Sequence, residues 1–334
     1  MAFYDSIKLE KGMYNQGLTK ALESIDPSEA YEGTELSGLD AYERQLKRFN
    51  IKVKGQNSDV LDSFFKTTDS AVLFPEFVKR SVLQGMESCT VLQSIVATVT
   101  NVESNDYRTI KATTDATAGN AVNEASDLPK TIIQTKPNLV ALKKRGRIIA
   151  SSYEALRHQQ LGTVSVIFRK VGEEIARAQL KDAIDVLLNG DETDNAAGVV
   201  SPNSTSGIAY EDLIKLRTSF TDCEPNIILA NSSTMQDLLG LEELKSPQTI
   251  LSFSGASVTS AMLGLMFFIV NSMPATTLLA IDKNSALEKI QGELIFDWDR
   301  LIERQMERIV FSIIGGFAKM FTGSAWKMPY NATE

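Results

Sequence analysis

Apolar and polar positions are most regularly spaced between Thr163 and Asn189, TVSVIFRKVGEEIARAQLKDAIDVLLN. The stretch lacks proline, Thr163 stands where an N-cap would, and Gly190 follows as a stop. At 1.5 Å per residue, about 26 residues make a rod about 39 Å long. Val164, Phe168, Val171 and Ile175 recur at helical spacing on one face, whereas Leu180, Ile184, Leu187 and Leu188 occupy a face turned away from it. The spacing therefore predicts a beam whose two ends pack on different partners. The plainer alternative is an ordinary long helix in an α+β domain.

Residues 1 to about 70 differ from the rest. Glu23 to Glu43 holds seven acids and no Lys or Arg, punctuated by Pro27, Gly33 and Gly38. Leu39, Tyr42, Leu46 and Phe49 are spaced for a short amphipathic helix. Such a segment cannot build its own core, so it is expected to be an extended arm lying on something else. Val60 to Phe65 and Ala71 to Val78, around Pro75, lead into the folded body.

From Thr90 to Ala150 the pattern turns strand-like. Leu92 to Val102 and Tyr107 to Lys111 alternate about the turn signal Ser104-Asn105-Asp106. Ala112 to Ala125 is too polar for a core, and Ile132 to Ile149 supplies a second set of strands. A long two-stranded excursion of this kind is barely stable in water, so it needs a partner surface on another subunit. Ser151 to Gln160 reads as a short helix before the long one. Beyond the loop Gly190 to Gly207, Tyr210 to Phe220 is amphipathic helix, Asn226 to Ala230 a buried strand and Ser232 to Leu241 a capped helix. With buried strands at Met266 to Val270 and Leu278 to Ile281, these make a compact α/β unit from about 205 to 285. The tail from Glu293 to Lys319 is strand-rich.

The chain has 334 residues, 43% hydrophobic and 23% charged, with a net charge of −8. Length suggests two or three domains and burial of about three quarters of the unfolded surface. The acidic balance argues against a protein that grips nucleic acid through its phosphates. MAFYDSIKLEKG carries charges where a signal peptide needs an apolar run. Ala261 to Val270 is about half of membrane-spanning length. Cys89 and Cys223 lack CxxC spacing, so no disulfide framework or zinc site is suggested and a cytoplasmic, reducing origin fits.

Candidate chemistry is sparse. His158 is the one histidine, without a Ser or Cys in a nucleophile-elbow context, and reads as a surface residue. Gly190 to Asp194 fails the spacing of a calcium loop, and there is no GxxxxGK[ST], GxGxxG after a strand, or HExxH. Asp297 and Asp299 alternate with Arg300, Glu303 and Arg304, a pattern suited to ion pairs across an interface rather than to an acid/base pair. Lys136 to Lys170 carries eight basic residues (Lys136, Lys143, Lys144, Arg145, Arg147, Arg157, Arg169, Lys170) against one acid, Glu154. A solvated face is one reading. The sharper one sets this basic stretch against the acidic arm, Glu23 to Glu43, of a neighbouring chain, with Lys143, Lys144, Arg145, Arg147 and Glu29, Glu32, Glu35 expected at the interface. Nucleic acid fits less well, because aromatics are not interleaved with the bases.

In this order the elements resemble the HK97-type major capsid proteins of tailed bacteriophages. The resemblance rests on Phe74-Pro75-Glu76-Phe77, Glu124-Ala125, Lys143 to Leu156 (KKRGRIIASSYEAL), and Ala183 to Gly190 with the loop to Gly198. Ile227 to Ser233 and Gly316-Phe317-Ala318 running into Ala325-Trp326 complete it, so that residues 70 to 328 are covered. It implies an α+β fold with an N-terminal arm (1–70), a lead-in and E-loop hairpin (71–150), and a P-domain with spine helix (151–204). An A-domain (205–285) and returning P-domain strands (286–334) follow. It further implies hexamers and pentamers in an icosahedral virion shell, assembled in the bacterial cytoplasm around double-stranded DNA bound without sequence specificity. Portal and scaffolding or decoration proteins would be partners; no cofactor, metal or membrane is implied. An encapsulin-like nanocompartment and a soluble α/β enzyme with a pocket near Asp297 are the alternatives.

Two departures from the family follow. Some members cross-link through a Lys, an Asn and a catalytic Glu, but Gln305 to Phe317 has no Asn and Gly315-Gly316 falls near the Glu position, so no cross-link is expected. Many members lose a long N-terminal scaffolding segment; here about 70 residues precede the body, and they are expected to be retained as an arm.

Overall fold

The computed structural model describes residues 17–55, 57–103, 106–114, 121, 131–152, 158–191, 196–205, 207–221, 223–244, 258–262, 264–301, 303 and 306–331. The chain divides into two compact units: Met1–Ser88 with Gly146–Ala176 and Ile295–Ser312, and Cys89–Arg145 with Arg177–Leu294 and Ile313–Glu334.

The first unit begins with helices α1 (Leu18–Ile25), α2 (Ala41–Arg48), α3 (Thr68–Ala71) and α4 (Phe74–Glu87), with 3₁₀ turns at Ser28–Tyr31 and Leu61–Phe65. Local chemistry sets these boundaries. Asp40 caps α2 by accepting from the Glu43 amide at 2.8 Å, Thr67 and Ser70 form a capping box, and Pro75 sits in the first turn of α4. Leu22, Tyr42, Leu46, Phe64, Phe74, Phe77 and Val82 are buried in one cluster with Leu161, Val164, Phe168, Ile309 and Phe311. Phe77 stacks edge-on against Phe168 with ring centroids 6.4 Å apart. The leading segment is therefore not an extended strap. Its described part is helical and buries its apolar stripe against its own chain.

The long helix α6 runs from Leu161 to Asn189, so Thr163 lies inside it rather than capping it; Gly190, at φ 84°, ends it as expected. Residues 161–176 belong to the first unit and 177–189 to the second. Val164 and Phe168 are buried in the core just described. Leu180, Ile184, Leu187 and Leu188 belong to a different core, in the second unit. The change of stripe is thus a change of partner. Within the first unit α6 approaches α4 closely: a Cβ at Gly172 would overlap the carbonyl oxygen of Val82, and one at Gly85 that of Arg169.

The second unit starts with helix α5 (Thr90–Ile95), where strand was expected from Leu92; short apolar runs do not distinguish the two periods. Strand β1 (Thr98–Asn101) pairs in parallel with β10 (Leu287–Leu301), and the sheet order is β1-β10-β11-β4, with β11 Met306–Lys319 and β4 Lys143–Ser152; residues 146–152, 295–301 and 306–312 of these strands belong to the first unit. Strands β2 (Ile110–Thr114) and β3 (Thr131–Thr135) form a two-stranded antiparallel ribbon, Ile110 opposite Thr135. The helix expected over Ser151–Gln160 opens instead with the last two residues of β4, and His158 to Gln160 are not helical; residues 153–157 lie outside the described ones.

A six-stranded sheet completes the unit, in the order β5-β12-β9-β6-β8-β7. Its strands are Gly198–Val199, Ala325–Pro329, Thr277–Ile281, Ile227–Ala230, Leu265–Ile269 and Val258–Met262 in that order. Every residue of β6 and β9 is buried. Alternate side chains of β6 feed different cores: Ile227 and Leu229 meet Leu180, Ile184 and Leu187, whereas Ile228 and Ala230 meet Leu213, Leu216, Met235 and Leu238. The latter four come from helices α7 (Tyr210–Thr218) and α8 (Ser232–Leu239), the second a capped helix as expected, its cap being Asn231. No helix among the described residues is long and apolar enough to cross a membrane.

Candidate inter-subunit surface

The β2/β3 ribbon has a buried root and, among its described side chains, an exposed body. At the root, Glu288 on β10 accepts hydrogen bonds from Thr100 Oγ1 (2.7 Å), Tyr107 OH (2.6 Å) and Thr109 Oγ1. Thr109 and Glu288 are almost wholly buried. Burial, then the bond to Glu288, pushes the Tyr107 phenol above its ordinary pKa. Backbone bonds from Lys136 N to Thr109 O (2.8 Å) and Val140 N to Tyr107 O (2.9 Å) close the root. Beyond it, Ile110, Ile132 and Ile133 are 51%, 54% and 67% exposed.

The same root gathers three lysines that sequence spacing does not bring together. Lys136 Nζ donates to Lys319 O at 2.9 Å and pairs with Asp191 at 3.3 Å. Lys319 Nζ donates to Ala196 O, and Lys327 Nζ to Leu188 O in the last turn of α6, where carbonyls favour a cation. Burial pushes Lys319 down to about 8, against the pull of Asp191. The signal available beforehand was one lysine closing a long apolar run.

The predicted basic residues are largely occupied within the chain. Lys143 (3.0 Å) and Arg145 (2.7 Å) both pair with Asp182, Arg147 with Glu174 (2.6 Å) and Lys170 with Glu173 (2.9 Å). Lys144 is exposed, without an ion pair among the described residues. The acidic run is split. Arg44 pairs with Glu23 and Asp26 and lies 4.4 Å over the Tyr31 ring, while Arg80 pairs with Asp40 at 2.7 Å. Glu29, Glu32 and Glu35 face solvent, without an ion pair among the described residues. At the end of β10, Asp299 pairs with Arg308 at 2.6 Å, and Asp297 and Glu303 are exposed. Arg300 is described by its backbone alone, and Arg304 lies outside the described residues.

His158 is exposed, and Cys89 and Cys223 are partly buried thiols. Among the described residues no group of His, Cys, Asp or Glu is arranged to hold a metal ion. Among the described residues the geometry offers exposed apolar and charged surface.

A family model described as "Phage capsid protein" matches residues 135–320. Among solved structures, the capsid of a native GTA particle is similar at a TM-score of 0.53 and 15% identity, over 72% of this chain and 90% of that one. A structure from Microbacterium phage Oxtober96 gives 0.52 and 14%, again over 72% and 90%. A virus-like particle from Pyrococcus furiosus gives 0.50 and 14%, over 76% and 98%. No curated protein matches the sequence.

Proposed function

This chain belongs to the phage capsid protein family and is a shell-forming capsid subunit of HK97-type fold; we propose that it assembles as hexamers and pentamers into an icosahedral shell around double-stranded DNA. The ribbon carries the reading. A two-stranded hairpin is marginal by itself, and this one holds three isoleucines in water on its described residues. A neighbouring subunit supplies the missing cover, and repetition about closed symmetry axes builds rings and then a shell.

On this reading the ribbon is the E-loop, α6 the spine of the P-domain and residues 205–285 the A-domain, with residues 1–70 as the N-terminal arm. The role is assembly rather than catalysis. A net charge of −8 suits a container that holds DNA without gripping its phosphates and later releases it. Assembly takes place in the host cytoplasm, with portal and scaffolding or decoration proteins as partners.

Sedimentation of the purified protein tests this. Megadalton particles containing nuclease-protected DNA are expected. A small oligomer overturns the shell, and particles that enclose protein cargo without DNA overturn the packaged genome.

A further inference from the structure

We infer that a groove in the first unit, floored by Leu46, Ile51 and Phe77, receives the acidic loop Glu29–Glu35 of a second copy of this chain. The inference rests on the shell reading and names one contact within it. The groove has a volume of about 540 Å³, and its rim carries Lys47, Lys52 and Lys54. All three lysines are exposed, and none forms an ion pair among the described residues. Glu43 is the one acid of the lining, so the groove keeps a positive excess. An apolar floor lowers the local dielectric and strengthens the field of the cations above it.

The loop is the complement in number and sign. The fold neutralises Glu23, Asp26 and Asp40 with Arg44 and Arg80, and leaves Glu29, Glu32 and Glu35 in solvent. Arg44 holds the loop in place: besides Asp26 it reaches Ser28 Oγ (2.9 Å) and Leu39 O (2.7 Å), so both ends are tied to α2. Positive φ at Gly33 and Gly38 sets the turns between those ends. A tethered loop loses little freedom on docking.

Competing partners are already engaged. Lys143, Arg145, Arg147 and Lys170 pair with Asp182, Glu174 and Glu173 of their own chain, which leaves Lys144 as the one exposed cation of strand β4 without an ion pair among the described residues. No ion pair among the described residues joins the loop to the groove within one chain, which leaves both patches open to a second copy. A contact between two different patches is heterologous, the kind that builds a ring when its rotation closes.

A charge-exchange cycle in the full-length protein tests the contact, read by sedimentation at low ionic strength. Glu29, Glu32 and Glu35→Lys, and separately Lys47, Lys52 and Lys54→Glu, should each raise the concentration needed for assembly about tenfold. Both triples together should recover assembly to within about twofold of the parent. Should a triple variant not fold, as judged by its circular dichroism, Glu32→Lys and Lys52→Glu make the same cycle with smaller steps. Two parent-like triples, or a combined variant as defective as its worse component, overturn the contact. Loss confined to the lysine triple and unrescued by the glutamate triple, as for a groove that binds DNA, overturns it equally. Failure of the parent to form particles refutes the shell instead.

Discussion

Residues 18–65 and the β2/β3 ribbon share a deficiency: neither holds enough apolar surface to fold by itself. They resolve it differently. The leading segment puts Leu22, Tyr42, Leu46 and Phe64 into a core with Phe77 and Phe168 of its own chain, and Arg44 and Arg80 neutralise Glu23, Asp26 and Asp40. The ribbon secures its root on Glu288 and leaves Ile110, Ile132 and Ile133 in water. A segment that completes itself belongs to the stability of the subunit. One that stays incomplete belongs to assembly. Mutations should separate the two.

The largest loss of subunit stability should come from the leading segment. Phe64→Ala empties a fully buried aromatic site and should cost about 3–5 kcal/mol in denaturant unfolding of the unassembled chain. A smaller and pH-dependent effect is expected at the ribbon's root. Lys319 titrates near 8 in the fold against an ordinary 10.5, so between those values the unfolded chain holds a proton that the folded chain has released. Stability should therefore rise with pH across that window, by about 3 kcal/mol, and Lys319→Met should flatten the rise. Next comes the α4–α6 crossing, where Gly172→Ala sets a methyl group against the Val82 carbonyl and should cost about 1–3 kcal/mol in thermal unfolding. The smallest change in the unassembled chain, within about 0.5 kcal/mol, should follow Ile132→Ser with Ile133→Ser. That pair should nonetheless abolish particles. Parent-like assembly would remove the distinction between the two regions.

The sequence made some of this legible and hid the rest for identifiable reasons. The spacing of Leu39, Tyr42 and Leu46 located α2, and the shift of stripe along α6 announced two partners. Periodicity tells which face is buried but not against what, so the leading segment read as a strap on another molecule. The basic run read as unpaired because Asp182 and Glu174, on α6, reach Lys143, Arg145 and Arg147 only once the chain is folded. Lys47, Lys52 and Lys54 form no run in the sequence, being scattered over a helix and a loop that the fold alone gathers round one groove. Fold class and shell function survived these misplacements because they rest on the order of elements, and the individual contacts do not.

High-resolution imaging of particles formed by the purified protein tests the central claim most directly. Closed shells are expected in which Ile110, Ile132 and Ile133 of each subunit lie against a neighbour. A monomer with the ribbon folded over its own body, and no symmetric copies around it, would contradict the account.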